Sequence, residues 1–182
     1  MSEFAAWRRL DRPGCDAASL RPSDGGWLLK GAATFGDEGG SAAVAYQVEV
    51  DARWGTKRGI ISGFLDDKTI QHEIRRDGAG WSLNGVRVEG LKHLVDLDYG
   101  FTPATNVLQL SRIALESGQG AEVPVAWFDL ESASLIELPQ RYERRSEASY
   151  WYEAPTVPYR ALLEMAPNGF VRSYPGLWRL AA

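Results

Sequence analysis

Alternation of apolar and polar side chains runs through most of this chain, and a period of two is the signature of a strand with one face buried. In VAYQVEVD, Val44, Tyr46, Val48 and Val50 fall on one side, and Ala45, Gln47 and Glu49 on the other. YRALLEM sets Tyr159, Ala161, Leu163 and Met165 against Arg160 and Glu164. SLIELPQRYERR groups Ile136, Leu138, Gln140 and Tyr142, with Glu137, Arg141, Glu143 and Arg145 opposite. These runs predict antiparallel strands with one wet face. VPVAWFDL carries apolar residues on both faces, which predicts a strand covered on both sides, the second cover being protein or a ligand.

The turns agree with the strands. In WSLNGVRV, Asn84-Gly85 supplies the two positive φ angles of a type I′ turn, so Trp81, Leu83, Val86 and Val88 share one face of a hairpin. MAPNGFVRSY repeats the signal at Asn168-Gly169, with Pro167 lengthening the loop. Roughly ten short strands with turns between them predict an all-β barrel, sandwich or strongly curved sheet. Helix is scarce. Residues 106–115, NVLQLSRIAL, fit either a short helix capped by Asn106 or a strand through Leu108 and Leu110. No linker, repeat or low-complexity tract divides the 182 residues, so one domain spanning 1–182 is expected.

Charge and cysteine usage narrow the function. A formal net charge of −4 lacks the usual footprint of a nucleic-acid binder. The pairs Arg8-Arg9, Arg75-Arg76 and Arg144-Arg145 are short, mixed with acids, and fit a solvated face. Cys15 is the one cysteine, so neither an internal disulfide nor a cysteine metal cluster can form. The opening MSEFAAWRRLDRPGCD has no apolar run of signal-peptide length, and no stretch approaches the ~20 apolar residues that cross a bilayer. The expected location is the cytoplasm.

Asp96 and Asp98 lie two apart in LVDLDYG, and on a strand their carboxylates point the same way. Such a pair can form a polar strand face opposite Val95, Leu97 and Tyr99, contact a ligand, hold a hard cation, or do general acid–base work. His72 and His93 stand too far apart for a zinc motif, no G-x-S-x-G elbow occurs, and GDEGG lacks the ending of a phosphate loop. No metal or cofactor is expected. Seven Trp and seven Tyr are the more telling feature: SYWYEA alternates Tyr150 and Tyr152 against Trp151, and such amphipathic rings suit sugars and amphiphiles as well as cores.

DLDYGFTPATNVLQL, VPVAWFDL, LPQRYERR, YWYEA and the closing YPGLWRL together resemble the putative glycolipid-binding protein family, from GWLLKGAATF at residue 26 to Trp178. Gly100-Phe101-Thr102-Pro103-Ala104-Thr105-Asn106 and Tyr174-Pro175-Gly176-Leu177-Trp178 carry the resemblance most strongly, while Val107 and Gln109 depart from the family's usual Asn-Thr-Leu-Pro-Ile. The resemblance implies the lipoprotein-carrier (LolA/LolB-like) fold: a large antiparallel sheet bent into a half-barrel, a few short helices filling its concave side, and an apolar cavity between. It brings no catalytic residues. The expected function is non-enzymatic binding of a glycolipid or other amphiphile, with Phe101, Trp127, Tyr150 and Tyr152 as walls and Asp96, Asp98 and Asn106 as a polar lip for the head group. Two alternatives stand beside it: an enzyme acting on a sugar or lipid conjugate through Asp96 or Asp98, and a protein-interaction module whose aromatics are core. A further structural alternative buries the two acids against Arg112 or a backbone turn.

Overall fold

The computed structural model describes residues 2–38 and 40–181. Met1, Gly39 and Ala182 lie outside the described residues; the first belongs to the amino-terminal stretch read for a signal peptide, and Gly39 to the GDEGG cluster.

Eight strands follow one another as a meander: β1 (Glu3–Arg9), β2 (Gly14–Ser23), β3 (Gly26–Asp37), β4 (Gly40–Asp51), β5 (Thr56–Leu65), β6 (Lys68–Asp77), β7 (Gly80–Leu83) and β8 (Val86–Val88). The chain then leaves this sheet for β9 (Asp96–Tyr99) and a helix, α1 (Asn106–Ile113), touches the far edge as β10 (Gly120–Glu122), and forms β11 (Val125–Asp129) and β12 (Ser134–Leu138). It returns as a second meander: β13 (Arg141–Ser146), β14 (Ser149–Ala154), β15 (Tyr159–Met165), β16 (Val171–Tyr174) and β17 (Trp178–Leu180). β17 pairs with β1, which joins the two meanders into a 14-stranded antiparallel sheet in the order β10-β13-β14-β15-β16-β17-β1-β2-β3-β4-β5-β6-β7-β8. The sheet stays open, and its two edge strands, β10 and β8, have three residues each, too short to template pairing with another chain. A second sheet, β12-β11-β9, pairs β11 parallel to β9 and antiparallel to β12.

The large sheet curls around this small one. Tyr99 Oη donates to the Gln47 carbonyl of β4 at 3.1 Å, while the adjacent Asp98 accepts from Gln140, at the entrance to β13, at 2.8 Å. β4 and β13 stand eight places apart in the sheet, about 38 Å if it were flat at ~4.8 Å per strand. Two neighbouring residues reach both only because the sheet bends. Its concave face is the inward half of the alternation: Trp7, Ala18, Leu29, Val44, Val48, Ile61 and Ile74 are fully buried, as are Tyr142 and Leu163 of the second meander. The filling is β9, β11 and α1, with Leu97, Phe128 and Leu108 packed into the same core.

Several sequence expectations hold at residue level. Val44, Tyr46, Val48 and Val50 are all buried on β4. The Asn84-Gly85 hairpin pairs Leu83 with Val86, with φ of 52° and 80° at the turn, although Val86 projects past the core and is exposed. The loop at Asn168-Gly169 is longer, closed by Gly169 N–H to the Ala166 carbonyl and Ala166 N–H to that of Phe170. β11, apolar on both faces, is the central strand of the small sheet.

Three expectations change. Among the described residues seventeen strands form rather than about ten, because several have only three or four residues and carry little periodicity. SLIELPQRYERR is two strands in different sheets. Pro139 has no N–H for the ladder, and the chain turns there, so Leu135 and Leu138 are buried in β12 while Ile136 is 48% exposed. Residues 106–113 are helical, and among the described residues this is the one α-helix where a few were expected. Thr105, not Asn106, is the N-cap, and its hydroxyl is directed to Asp98 instead of the helix. Asn106 starts the first turn, and Ala114, in the left-handed conformation, ends the helix by donating its N–H to the Leu110 carbonyl.

Candidate ligand cavity

Where the small sheet and α1 meet β14–β17, packing leaves a cavity of about 270 Å³. Asp98, Asn106, Trp127 and Leu138 line it from the inner layer; Tyr152, Tyr159, Tyr174 and Trp178 line it from the large sheet, with Val157 at its rim. The wall on the large-sheet side is a cluster of tyrosines. The ring centroids of Tyr152 and Tyr174 are 5.7 Å apart, those of Tyr159 and Tyr174 5.2 Å, and Tyr142 lies 4.9 Å behind Tyr152. Alternation on β14 turns Tyr150 and Tyr152 inward together and leaves Trp151 outward. Burial pushes the Tyr159 phenol up to about 12 and raises Tyr152 and Tyr174 as well, so these hydroxyls stay protonated as donors and acceptors. The Tyr159 hydroxyl donates to the Pro175 carbonyl at 2.6 Å, which ties β15 to the turn before β17.

The opposite wall is polar. Asp98 Oδ1 accepts from the Thr105 hydroxyl at 2.5 Å and Oδ2 from Gln140 Nε2 at 2.8 Å. The Tyr142 hydroxyl donates to Gln109 Oε1 at 3.0 Å and accepts from Asn106 Nδ2 at 2.8 Å. This network joins β9, α1 and the start of β13. Burial raises the Asp98 carboxyl above the usual range against the lowering effect of hydrogen bonds from Thr105 and Gln140. Gln109 Nε2 meets no partner of good geometry, an orphaned buried donor beside that carboxylate.

Trp127 is held at the seam by Gly100. A Cβ at residue 100 would stand 2.7 Å from the indole Cζ2, so any side chain there displaces the ring.

Of the seven residues expected to bind a ligand, the fold brings Asp98, Asn106, Trp127 and Tyr152 to this cavity. The other three go elsewhere. Asp96 is buried and grips the Arg112 guanidinium in a two-point ion pair, Nε to Oδ1 at 2.8 Å and Nη2 to Oδ2 at 2.7 Å, which fastens the last turn of α1 to β9. Phe101 is stacked on Tyr99 at 5.3 Å and edge-on to Tyr46, on the far side of Trp127. Tyr150 faces a separate groove with Arg144 and Arg172. The residues missed by sequence reasoning include Leu138, Val157, Tyr159, Tyr174 and Trp178 in the cavity wall and Thr105, Gln109, Gln140 and Tyr142 in the polar network behind it. Gln140 offered a signal, as an amide on an otherwise apolar strand face. His93 lies 3.2 Å from Glu137 and His72 packs against Phe128; among the described residues no group of three or more His, Cys, Asp or Glu converges as a metal site. No helix of the described residues is long and apolar enough to cross a membrane.

An open antiparallel sheet wrapped around a small sheet and a helix, with a tyrosine-walled cavity at the seam, defines a curved-sheet protein with a small internal pocket. The chain belongs to the family described as "Putative glycolipid-binding", whose model matches residues 4–180. A crystal structure of a DUF1089 family protein from Pseudomonas aeruginosa has the same fold, with a TM-score of 0.78 and 24% identity over 90% of this chain and 91% of the other. No curated protein matches the chain.

Proposed function

We propose that the protein binds an amphiphilic glycoside without transforming it, and that the seam cavity holds the carbohydrate head group. The observation that carries this reading is the pairing of tyrosine rings with a fixed polar wall in one small cavity: Tyr152, Tyr159 and Tyr174 face Asp98 and Asn106 across it. Amphipathic rings cover the apolar face of a sugar while amides and carboxylates meet its hydroxyls. Asn106 uses its N–H on Tyr142, and among the described residues no donor meets its carbonyl, which leaves an acceptor for a ligand hydroxyl. The family description supports a binding role at family level.

The size of the cavity redirects the expectation of an apolar chamber for acyl chains. About 270 Å³ falls below the ~300–1,000 Å³ of pockets that enclose drug-sized ligands, and suits a ring better than a lipid tail. The placement of the acids supports binding over hydrolysis. Glycoside cleavage by paired carboxylates needs two acids flanking one bond. Asp98 is the one acid lining the cavity among the described residues, and Asp96 is committed to Arg112. The likeness to lipoprotein carriers is kept only as an architectural analogy: an open curved sheet whose concave side is filled.

Titrating octyl β-glucoside and octyl β-galactoside below their micelle concentrations, by calorimetry and tryptophan emission, tests the reading. Saturable binding that Asn106→Leu weakens about tenfold is expected, the value of one lost hydrogen bond to a buried polar group. Absence of saturable binding to either glycoside overturns it.

A further inference from the structure

We infer that the groove at Tyr150 is a second binding site, for a phosphate monoester: an oxyanion carried on a short apolar body. The inference stands apart from the head-group reading, because the groove, about 500 Å³, shares no lining residue with the seam cavity. It lies where the carboxyl-terminal half of α1 meets two hairpin turns, the one between β13 and β14 and the one between β15 and β16.

Its two arginines face the concave side of the sheet. Arg144 pairs with Tyr150 across β13 and β14 and alternates with Tyr142, and both tyrosines are buried on that side. Arg172 reaches the same side through a bulge. Glu164 pairs with Ser173 and Met165 with Val171, so Arg172 is the extra residue of β16. The bulge sets it beside the buried Val171, opposite the inward Met165. Two residues further on, Tyr174 also faces inward and lines the seam cavity. Leu110, Tyr150, Met165 and Pro167 supply apolar walls between the two arginines, and Ser111 adds a hydroxyl from α1.

Neither guanidinium is neutralised within the protein. Arg144 donates to three backbone carbonyls: Nη1 to Leu115 at 2.6 Å, Nε to Ser146 at 3.2 Å and Nη2 to Glu147 at 3.3 Å. These neutral acceptors fix the plane of the fork, yet leave its charge and two of its five N–H groups unmatched. Arg172 makes no ion pair among the described residues. Glu147 is the one acid lining the groove among the described residues, and its carboxylate pairs with neither arginine. By contrast, Arg141 and Arg145 of the same β13 both pair with Glu143. Two cations against one acid, in a chain of net charge −4, suit a bound anion. Planar forks match phosphate oxygens, and a dianion matches two of them. A free phosphate would leave most of the groove empty. Its volume lies within the ~300–1,000 Å³ of pockets that enclose small organic ligands, and its apolar walls fit a body attached to the anion.

Calorimetric titration of hexyl phosphate, inorganic phosphate and hexanol tests the inference, on the parent protein and on Arg172→Gln and Ser111→Glu. Arg172 is exposed and Ser111 half-buried, so both variants keep the fold, which thermal melts check. On the parent, hexyl phosphate binds saturably and at least tenfold more tightly than inorganic phosphate, hexanol does not bind, and added salt weakens the interaction. Arg172→Gln weakens hexyl phosphate about tenfold, the value of one lost charged hydrogen bond. Ser111→Glu sets a carboxylate in the groove and removes binding. Absence of saturable binding by hexyl phosphate overturns the inference. So does equal affinity for inorganic phosphate, which leaves only a contact for free anions, or equal affinity for hexanol, which leaves only an apolar surface. Binding that both variants leave unchanged and Asn106→Leu weakens moves the phosphate to the seam cavity and also overturns it. Failure of glycosides to bind removes the head-group reading and leaves this inference standing.

Discussion

Substituting Asp16 by Asn should make the protein's stability far less sensitive to pH. Asp16 projects from β2 into the concave face, 2% exposed, with no cation beside it. Both carboxylate oxygens accept from the Tyr46 hydroxyl, at 3.0 and 2.9 Å, and Oδ2 also accepts from the Thr102 hydroxyl. The group thus clips the corner that follows β9 to β2 and β4 of the large sheet. Burial raises its carboxyl to about 6 from an ordinary 3.8, against the lowering effect of those hydrogen bonds. A raised carboxyl favours the folded state while protonated. Its stabilising contribution is full below about pH 4 and is lost as pH rises through about 6. A shift of roughly two units corresponds to about 3 kcal/mol between those limits. Asn keeps the shape, an acceptor for Tyr46 and a donor for Thr102, but cannot ionise. Urea unfolding of both proteins from pH 4 to pH 7.5 isolates the effect, since every other group is common to both. The stability of Asp16→Asn minus that of the parent should rise by about 3 kcal/mol across this range. A difference that is flat with pH, or that falls, refutes the reasoning.

Asp96→Ala leaves the Arg112 guanidinium without its partner and should lower stability by about 2–3 kcal/mol in urea unfolding, less than for a fully buried pair because Arg112 is 28% exposed; glycoside affinity per folded molecule should not change. Gly100→Ala forces the Trp127 indole out of its seat and should lower stability by about 1–3 kcal/mol, with a shift in tryptophan emission that Trp127→Phe abolishes. Gly85→Ala places a Cβ at φ of +80° in the β7–β8 turn and should lower stability by about 1–2 kcal/mol without altering glycoside binding, as thermal melts and calorimetry can check.

The large sheet was legible because its information is local. A strand with one buried face writes its orientation into every second residue, as β4 and β15 do, and Asn84-Gly85 encodes its turn in two residues. The inner layer was less legible because its determinants are distant in sequence. Asp96 and Asp98 look equivalent two residues apart. One meets Arg112 from α1, and the other meets Thr105 and Gln140, the latter 42 residues away. Tyr150 and Tyr152 share a face of β14, yet the distance between them is enough to place one in the cavity and the other in a different groove. The tyrosine wall escaped notice because Tyr159 and Tyr174 belong to separate strands, and their rings converge only when the second meander curls. Pro139 could have signalled the break between β12 and β13, but alternation on either side of it obscured the corner.

The central claim is the location of the ligand, and photo-crosslinking addresses it most directly. A glycoside carrying a diazirine on the first carbon of its alkyl chain places the reactive group where the sugar leaves the cavity. Irradiation followed by peptide mapping should give adducts concentrated at the cavity residues Val157, Tyr159 and Leu138, and excess unlabelled octyl glycoside should suppress them. Adducts centred instead on the Tyr150 groove, or on the exposed Phe4 and Leu162, and insensitive to competitor, would contradict the account.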